Sequence, residues 1–130
     1  MMSVAWLIPL EPAASALRAR AGLRELALDP RDAEACAELL AGLEIIVTSE
    51  LAVDARLLGR CRWIRAVVGV GPRAGGLVDR AFAASRGLLS AIIDTDAGEA
   101  AALDVLVATL ARMERQLRVY DDIAETWEGT

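Results

Sequence analysis

The chain has 130 residues, 55% hydrophobic and 25% charged, a balance that supports one sizeable core and excludes a disordered segment. Its formal net charge of −5 argues against a nucleic-acid binder, which presents a basic face to phosphates. There is no His, and all 14 basic residues are Arg, which excludes Ser-His and Cys-His nucleophile pairs, most zinc sites and Schiff-base lysine chemistry.

The N-terminal MMSVAWLIPLEP has no basic residue ahead of its apolar stretch, and Pro9 and Pro12 interrupt that stretch too soon for a signal peptide. No run approaches the roughly 18 apolar residues of a membrane helix, and a cytoplasmic location is the expectation. SVAWLIPL reads as a first strand, with Pro12 opening a helix that stops at Gly22. LRELAL reads as a second strand. Asp29 before Pro30 predicts the start of the next helix, AEACAELLAGL, which ends at Gly42. EIIVTS is a third strand, after which Asp54 caps a short helix through Leu58 that Gly59 closes.

WIRAVVGV is the fourth strand and leads into a glycine-rich stretch. Asp79 then caps a helix ending at Gly87, and LLSAIID follows as a fifth strand whose near-continuous apolar character suits cover on both faces. Asp96 and Glu99 predict a capping box for a long last helix over about 98–125. Strands alternating with helices in this way predict a parallel-sheet α/β domain over residues 1–130. Cys36 and Cys61 form no C-x-x-C pattern and read as two buried structural thiols.

The last helix carries a second pattern. Leu103, Leu106, Leu110, Met113, Leu117, Tyr120, Ala124 and Trp127 are spaced alternately by three and four residues, a seam of period 3.5. Leu103 to Leu110 is expected to lie on its own sheet. Met113, Leu117, Tyr120 and Trp127 are expected to outrun a small domain and to form an interface, with a second copy or with a separate partner.

Chemistry has few places to sit. VVGVGPRAGGLVD follows a strand and precedes a helix, but Ala74 stands where a G-x-G-x-x-G fingerprint needs its third glycine, and no Walker lysine is present. No cofactor or metal site is expected. The stretch reads either as a ligand loop, where small residues admit backbone N–H groups and Arg73 acts as an anion clamp, or as a tight turn. The acidic pairs Asp94 with Asp96 and Asp121 with Asp122 read as caps and solvated helix faces.

IIVTSELAVDARLLGRCRWIRAVVGVG, then LVDRAFAASRGLL, then a small-residue turn into a long helix ending in TWEG, resembles in order the substrate-binding (catalytic) domain of D-isomer-specific 2-hydroxyacid dehydrogenases. The resemblance covers about residues 43–129. It implies a flavodoxin-like, mostly parallel five-stranded sheet flanked by helices, with a long C-terminal helix. It also implies a substrate carboxylate held by backbone N–H groups of the loop at Val70 and Gly71, with Thr48, Ser49 and Asp94 beside the cleft. The chain departs from the family at residues 72–76, which lengthen the loop, and at Ala102, Leu103 and Asp104, where the family carries a small residue followed by Glu and His.

Family members continue into a Rossmann domain that binds NAD(H) or NADP(H) and supplies the catalytic Arg, carboxylate and His. Residues 1–130 contain no counterpart of that domain, so the expectation is a truncated, stand-alone homologue that binds a small carboxylate or a protein partner and is not a dehydrogenase alone. NAD would enter only with a separate nucleotide-binding partner. The alternatives are a subunit of a split NAD-dependent dehydrogenase, a cofactor-independent isomerase, dehydratase or cyclase using Asp94, Asp96 and Arg73, and a structural dimerisation module.

Overall fold

A computed structural model describes residues 2–61 and 63–128, with the side chains of 127 and 128 outside the described residues. Five strands, β1 (Val4–Pro9), β2 (Arg24–Leu28), β3 (Ile45–Thr48), β4 (Ala66–Val70) and β5 (Leu89–Ile93), form one sheet in the order β2-β1-β3-β4-β5. Every pairing is parallel. The helices are α1 (Ala16–Ala21), α2 (Ala33–Leu40), α3 (Ala55–Leu58), α4 (Ala74–Leu77), α5 (Arg80–Ser85) and α6 (Glu99–Glu128). This is the flavodoxin-like α/β arrangement that the resemblance implies.

The two-residue period of a strand sorts the core into two layers. Ala5, Leu7, Ile46 and Val67 face a layer closed by Cys36 and Leu40 of α2, Leu58 of α3 and Val78. Trp6, Ile45, Val47, Ala66 and Val68 face the opposite layer, closed by Leu17 of α1 and by Ala102, Leu106, Met113 and Leu117 of α6. The central strands β3 and β4 are buried at every position, which is why IIVT and AVVGV are almost wholly apolar. At the outer edge, β2 exposes Arg24 and Glu25, charges that discourage a further strand from pairing there.

Several element boundaries differ from the sequence reading, each for a local reason. The first helix starts at Ser15, not Pro12, because the Ser15 hydroxyl accepts the Arg18 N–H at 3.1 Å; Gly22 ends it in a left-handed conformation, φ 65°. Asp29 does not cap the second helix. Its carboxylate folds back on the Arg31 N–H at 3.0 Å, and Asp32 instead accepts the Ala35 N–H at 3.1 Å. Asp54 and Asp79 cap α3 and α5 as read.

The glycine-rich stretch is not an open loop but contains α4. The capping box is also absent: Gly98 precedes Glu99, the first helical residue, so Glu99 cannot stand at the third helical position that a box requires. The long helix runs to Glu128 rather than 125.

The seam on α6 is covered further along than expected. Met113 and Leu117 are each 3% exposed and belong to the layer with Trp6 and Leu17, so they are core residues of their own chain. The reason is the course of the helix along the sheet, over the N-terminal ends of the strands, where Met2, Val4 and Leu23 also pack. Tyr120 and residues 121–126 are exposed, and the side chain of Trp127 lies outside the described residues. No helix among the described residues is long and apolar enough to cross a membrane.

A two-armed ion pair fastens this part of the helix. Arg65, just before β4, donates to Asp121 at 2.9 Å and 2.8 Å, and the guanidinium holds the Asp121 carboxyl below its usual 3.8. A carboxyl whose pKa is lowered by folding adds stability above its unfolded pKa and loses it as pH falls through the folded value. Asp121→Asn should therefore lower the thermal midpoint slightly near neutral pH and flatten its decline below about pH 4. Melts of both proteins from pH 7 to pH 2.5 check this, and parallel curves would show that the pair contributes nothing.

Candidate functional site

Central strands buried on both faces leave polar groups only at their ends, and in open parallel sheets ligands settle outside the carboxyl ends where the strand order reverses. Here that point lies between β1 and β3. A cleft opens there in two lobes that share Ser49 and Pro72. The lobe on the α6 side, about 390 Å³, is lined by Trp6, Ser49, Val70, Gly71, Thr95 and Glu99 among others. The second lobe, about 420 Å³, lies against Pro9, Ala13, Glu50, Arg73 and Leu77.

Ser49 sits at the junction because β3 ends at Thr48 and the chain turns sharply. The Thr48 hydroxyl is fully buried, donating to the Leu51 carbonyl at 2.7 Å and accepting the Leu51 N–H at 3.2 Å. By strand alternation Thr48 shares the face of Ile46, away from the α6-side lobe, and it holds the turn rather than lining the cleft. The Ser49 hydroxyl accepts the Trp6 indole N–H at 3.3 Å, which leaves its own O–H free to donate.

The two glycines after β4 are fixed by different requirements. A Cβ on Gly69 would lie 2.9 Å from the Ala74 Cβ and 3.0 Å from Val78, so its absence is what lets α4 approach the sheet. Gly71 has open space around it but a φ of 110°, a backbone that side chains rarely adopt. Its N–H donates to the Ile93 carbonyl at 2.9 Å, so this donor belongs to the sheet rather than to the cleft.

Arg73 is exposed and is the one cation among the described residues lining the two lobes. Asp94 is brought to neither lobe: its carboxylate accepts the Asp96 N–H at 2.8 Å, and the intervening Thr95 faces the cleft instead.

Arg18 organises the second lobe from behind. It is 8% exposed, and its guanidinium donates to Glu25 on β2, to Glu50 at 3.2 Å and to the Ala13 carbonyl at 2.7 Å, while Glu50 also accepts the Ala13 N–H at 3.3 Å. One buried cation thus joins α1, the edge strand and the loops after β1 and β3. In sequence Arg18 is one of several helix arginines. Only the two-layer packing, which places it beside Leu17 under the loops, distinguishes it. Trp6 was legible only as part of the first strand, and Glu99 only as a cap.

The two thiols are unreactive by environment. Burial pushes the Cys61 thiol from 9.0 up to about 11, with the neighbouring Cys36 adding to the effect, and burial likewise raises Cys36. Both donate to backbone carbonyls, Cys36 to Asp29 and Cys61 to Leu57, each at 3.2 Å. No group of three or more His, Cys, Asp or Glu able to hold a metal ion occurs among the described residues.

No protein-family model matches the chain, and no curated protein matches it. Among solved structures, a phosphoglycerate oxidoreductase from Rhizobium etli is similar, with 17% identity and a TM-score of 0.46. The likeness covers 72% of this chain, which spans 30% of that enzyme's length.

Two predictions follow from the polar groups. Arg18→Met removes the donor that Glu25 and Glu50 share, and should destabilise the fold by about 1.5–3 kcal/mol in urea unfolding; an unchanged midpoint would mean that the loops are held otherwise. For Cys61 the sign is the reverse of the carboxylate case. A thiol whose pKa is raised by folding keeps its stabilising contribution below the unfolded value and loses it as pH rises, so stability should fall between about pH 9 and 11. Cys61→Ala should reduce that slope, leaving the share that the raised Cys36 thiol contributes, and a slope unchanged in the variant would assign it to another group.

Proposed function

We propose that this domain binds a small carboxylate at the head of its sheet, the role of the substrate domain in the D-2-hydroxyacid dehydrogenases it resembles, and does not transfer hydride by itself. The observation that carries this reading is the convergence of Ser49, Val70, Gly71 and Arg73 on one cleft at the point where the strand order reverses. Ser49 from the turn after β3 meets Val70 and Gly71 there, positions that the resemblance implies, and Arg73 from the turn after β4 joins them.

The donors differ from those the resemblance implies. With the Gly71 N–H engaged by Ile93, the anion meets the Ser49 hydroxyl and the Arg73 guanidinium, one a fixed neutral donor and the other a mobile charge. Arg18 offsets part of the Glu50 charge from the inner side, a cation that Glu50 shares with Glu25. Glu99 on the opposite lobe disfavours a second negative group, which points to a monoanionic 2-hydroxy or 2-keto acid with its carboxylate towards Arg73.

Ligand-observed NMR with a panel of 2-hydroxy and 2-keto acids tests the reading. Saturable binding is expected. Arg73→Ala should weaken it at least tenfold, since a charge-assisted hydrogen bond contributes about 1.5–3 kcal/mol. Gly71→Val should weaken it through both strain and a side chain placed in the cleft. Binding that both variants leave intact would place the site elsewhere, and absence of saturation across the panel would end the proposal.

A further inference from the structure

The two lobes of the cleft carry unpaired charges of opposite sign. In the lobe on the α6 side, Glu99 is the one ionised side chain among the described residues that line it, and it makes no ion pair there. In the second lobe Glu50 is tied to Arg18, which leaves Arg73 as the charge without an ion partner among the described residues. Ser49 and Pro72 form the wall common to both. An anion and a cation thus line adjacent lobes of one cleft, and each favours a ligand charge opposite to its own.

Glu99 stands at the start of α6, where the helix end carries roughly half a positive charge. A full carboxylate charge outweighs it. The Ser15 and Thr95 hydroxyls line the same lobe and can accept hydrogen bonds from a cationic donor, while Trp6 supplies an apolar wall for a methylene chain. The separation of the two charges into different lobes selects among amines. An amine on the carbon next to the carboxylate would fall in the carboxylate's own lobe, whereas one at the far end of a short chain reaches the other.

We propose that the acid bound in this cleft carries a terminal amine, with its carboxylate towards Arg73 in one lobe and its ammonium towards Glu99 in the other. This rests on the carboxylate reading above and adds the group at the far end of the ligand.

Calorimetric titration of the full chain with matched acids decides the matter: 2-hydroxypentanoate against 5-amino-2-hydroxypentanoate, and 2-hydroxyhexanoate against 6-amino-2-hydroxyhexanoate. The amine-bearing member of at least one pair should bind about fivefold more tightly at low salt, the scale of an ion pair that keeps some contact with water. Added salt should narrow the gap. Glu99→Gln should bring the ratio within the pair close to one, whereas Arg73→Ala should weaken both members alike and preserve the ratio. Equal affinities within both pairs, with Arg73→Ala still weakening every acid, would overturn this inference and leave the carboxylate reading standing. A gap that Glu99→Gln leaves unchanged would overturn it too. Absence of binding by all four acids would end the carboxylate reading and this inference with it.

Discussion

The constraint on which the rest of this structure depends is that β3 and β4 are covered on both faces. Each needs apolar side chains at successive positions, so neither can present a functional group from its middle. Polar chemistry is displaced to the strand ends, and the reversal of strand order between β1 and β3 leaves a gap there that the helices do not fill. Ser49, Gly71 and Arg73 are placed by that geometry before any of them is considered as a ligand-binding residue.

The same constraint explains Arg18. A helix as short as α1 contributes little apolar cover, with Leu17 as its main buried apolar residue, and the space beside it is filled by a guanidinium stem instead. Because the head group finds two carboxylates and a carbonyl, the cation is compensated where it lies. The loops that border the cleft are therefore tied to an ion cluster, whereas the sheet beneath them is tied by apolar contact. The two differ in their response to salt and pH.

Much of the fold was legible in the sequence, because strand–helix alternation, apolar runs and the Asp54 and Asp79 caps are local signals. Failures came where two local signals competed. In DPRD both aspartates can cap, and Asp29 is captured by the Arg31 amide, an outcome that depends on turn geometry rather than composition. The seam of α6 was visible as a period, but how far the sheet reaches beneath it depends on helix direction, so Met113 and Leu117 were assigned to an interface and belong to the core. At the cleft, Ser49, Val70 and Gly71 were legible through their order along the chain. Thr48 was named with them but turns inward, and Arg18 and Glu50 were hidden because their pairing spans 32 residues.

The hydrogen bond from the Gly71 amide to the Ile93 carbonyl has a dynamic consequence. It is the last rung between β4 and β5 at the head of the sheet, and it ends beside the cavity wall. A ligand oxygen drawn to that amide would have to break the rung, loosening the outer strand as it bound. A ligand held by Ser49 and Arg73 alone would leave it closed. The protection of this single amide against solvent exchange is thus coupled to the manner of ligand capture, and the edge of the sheet serves as a built-in reporter of which donors the cleft employs.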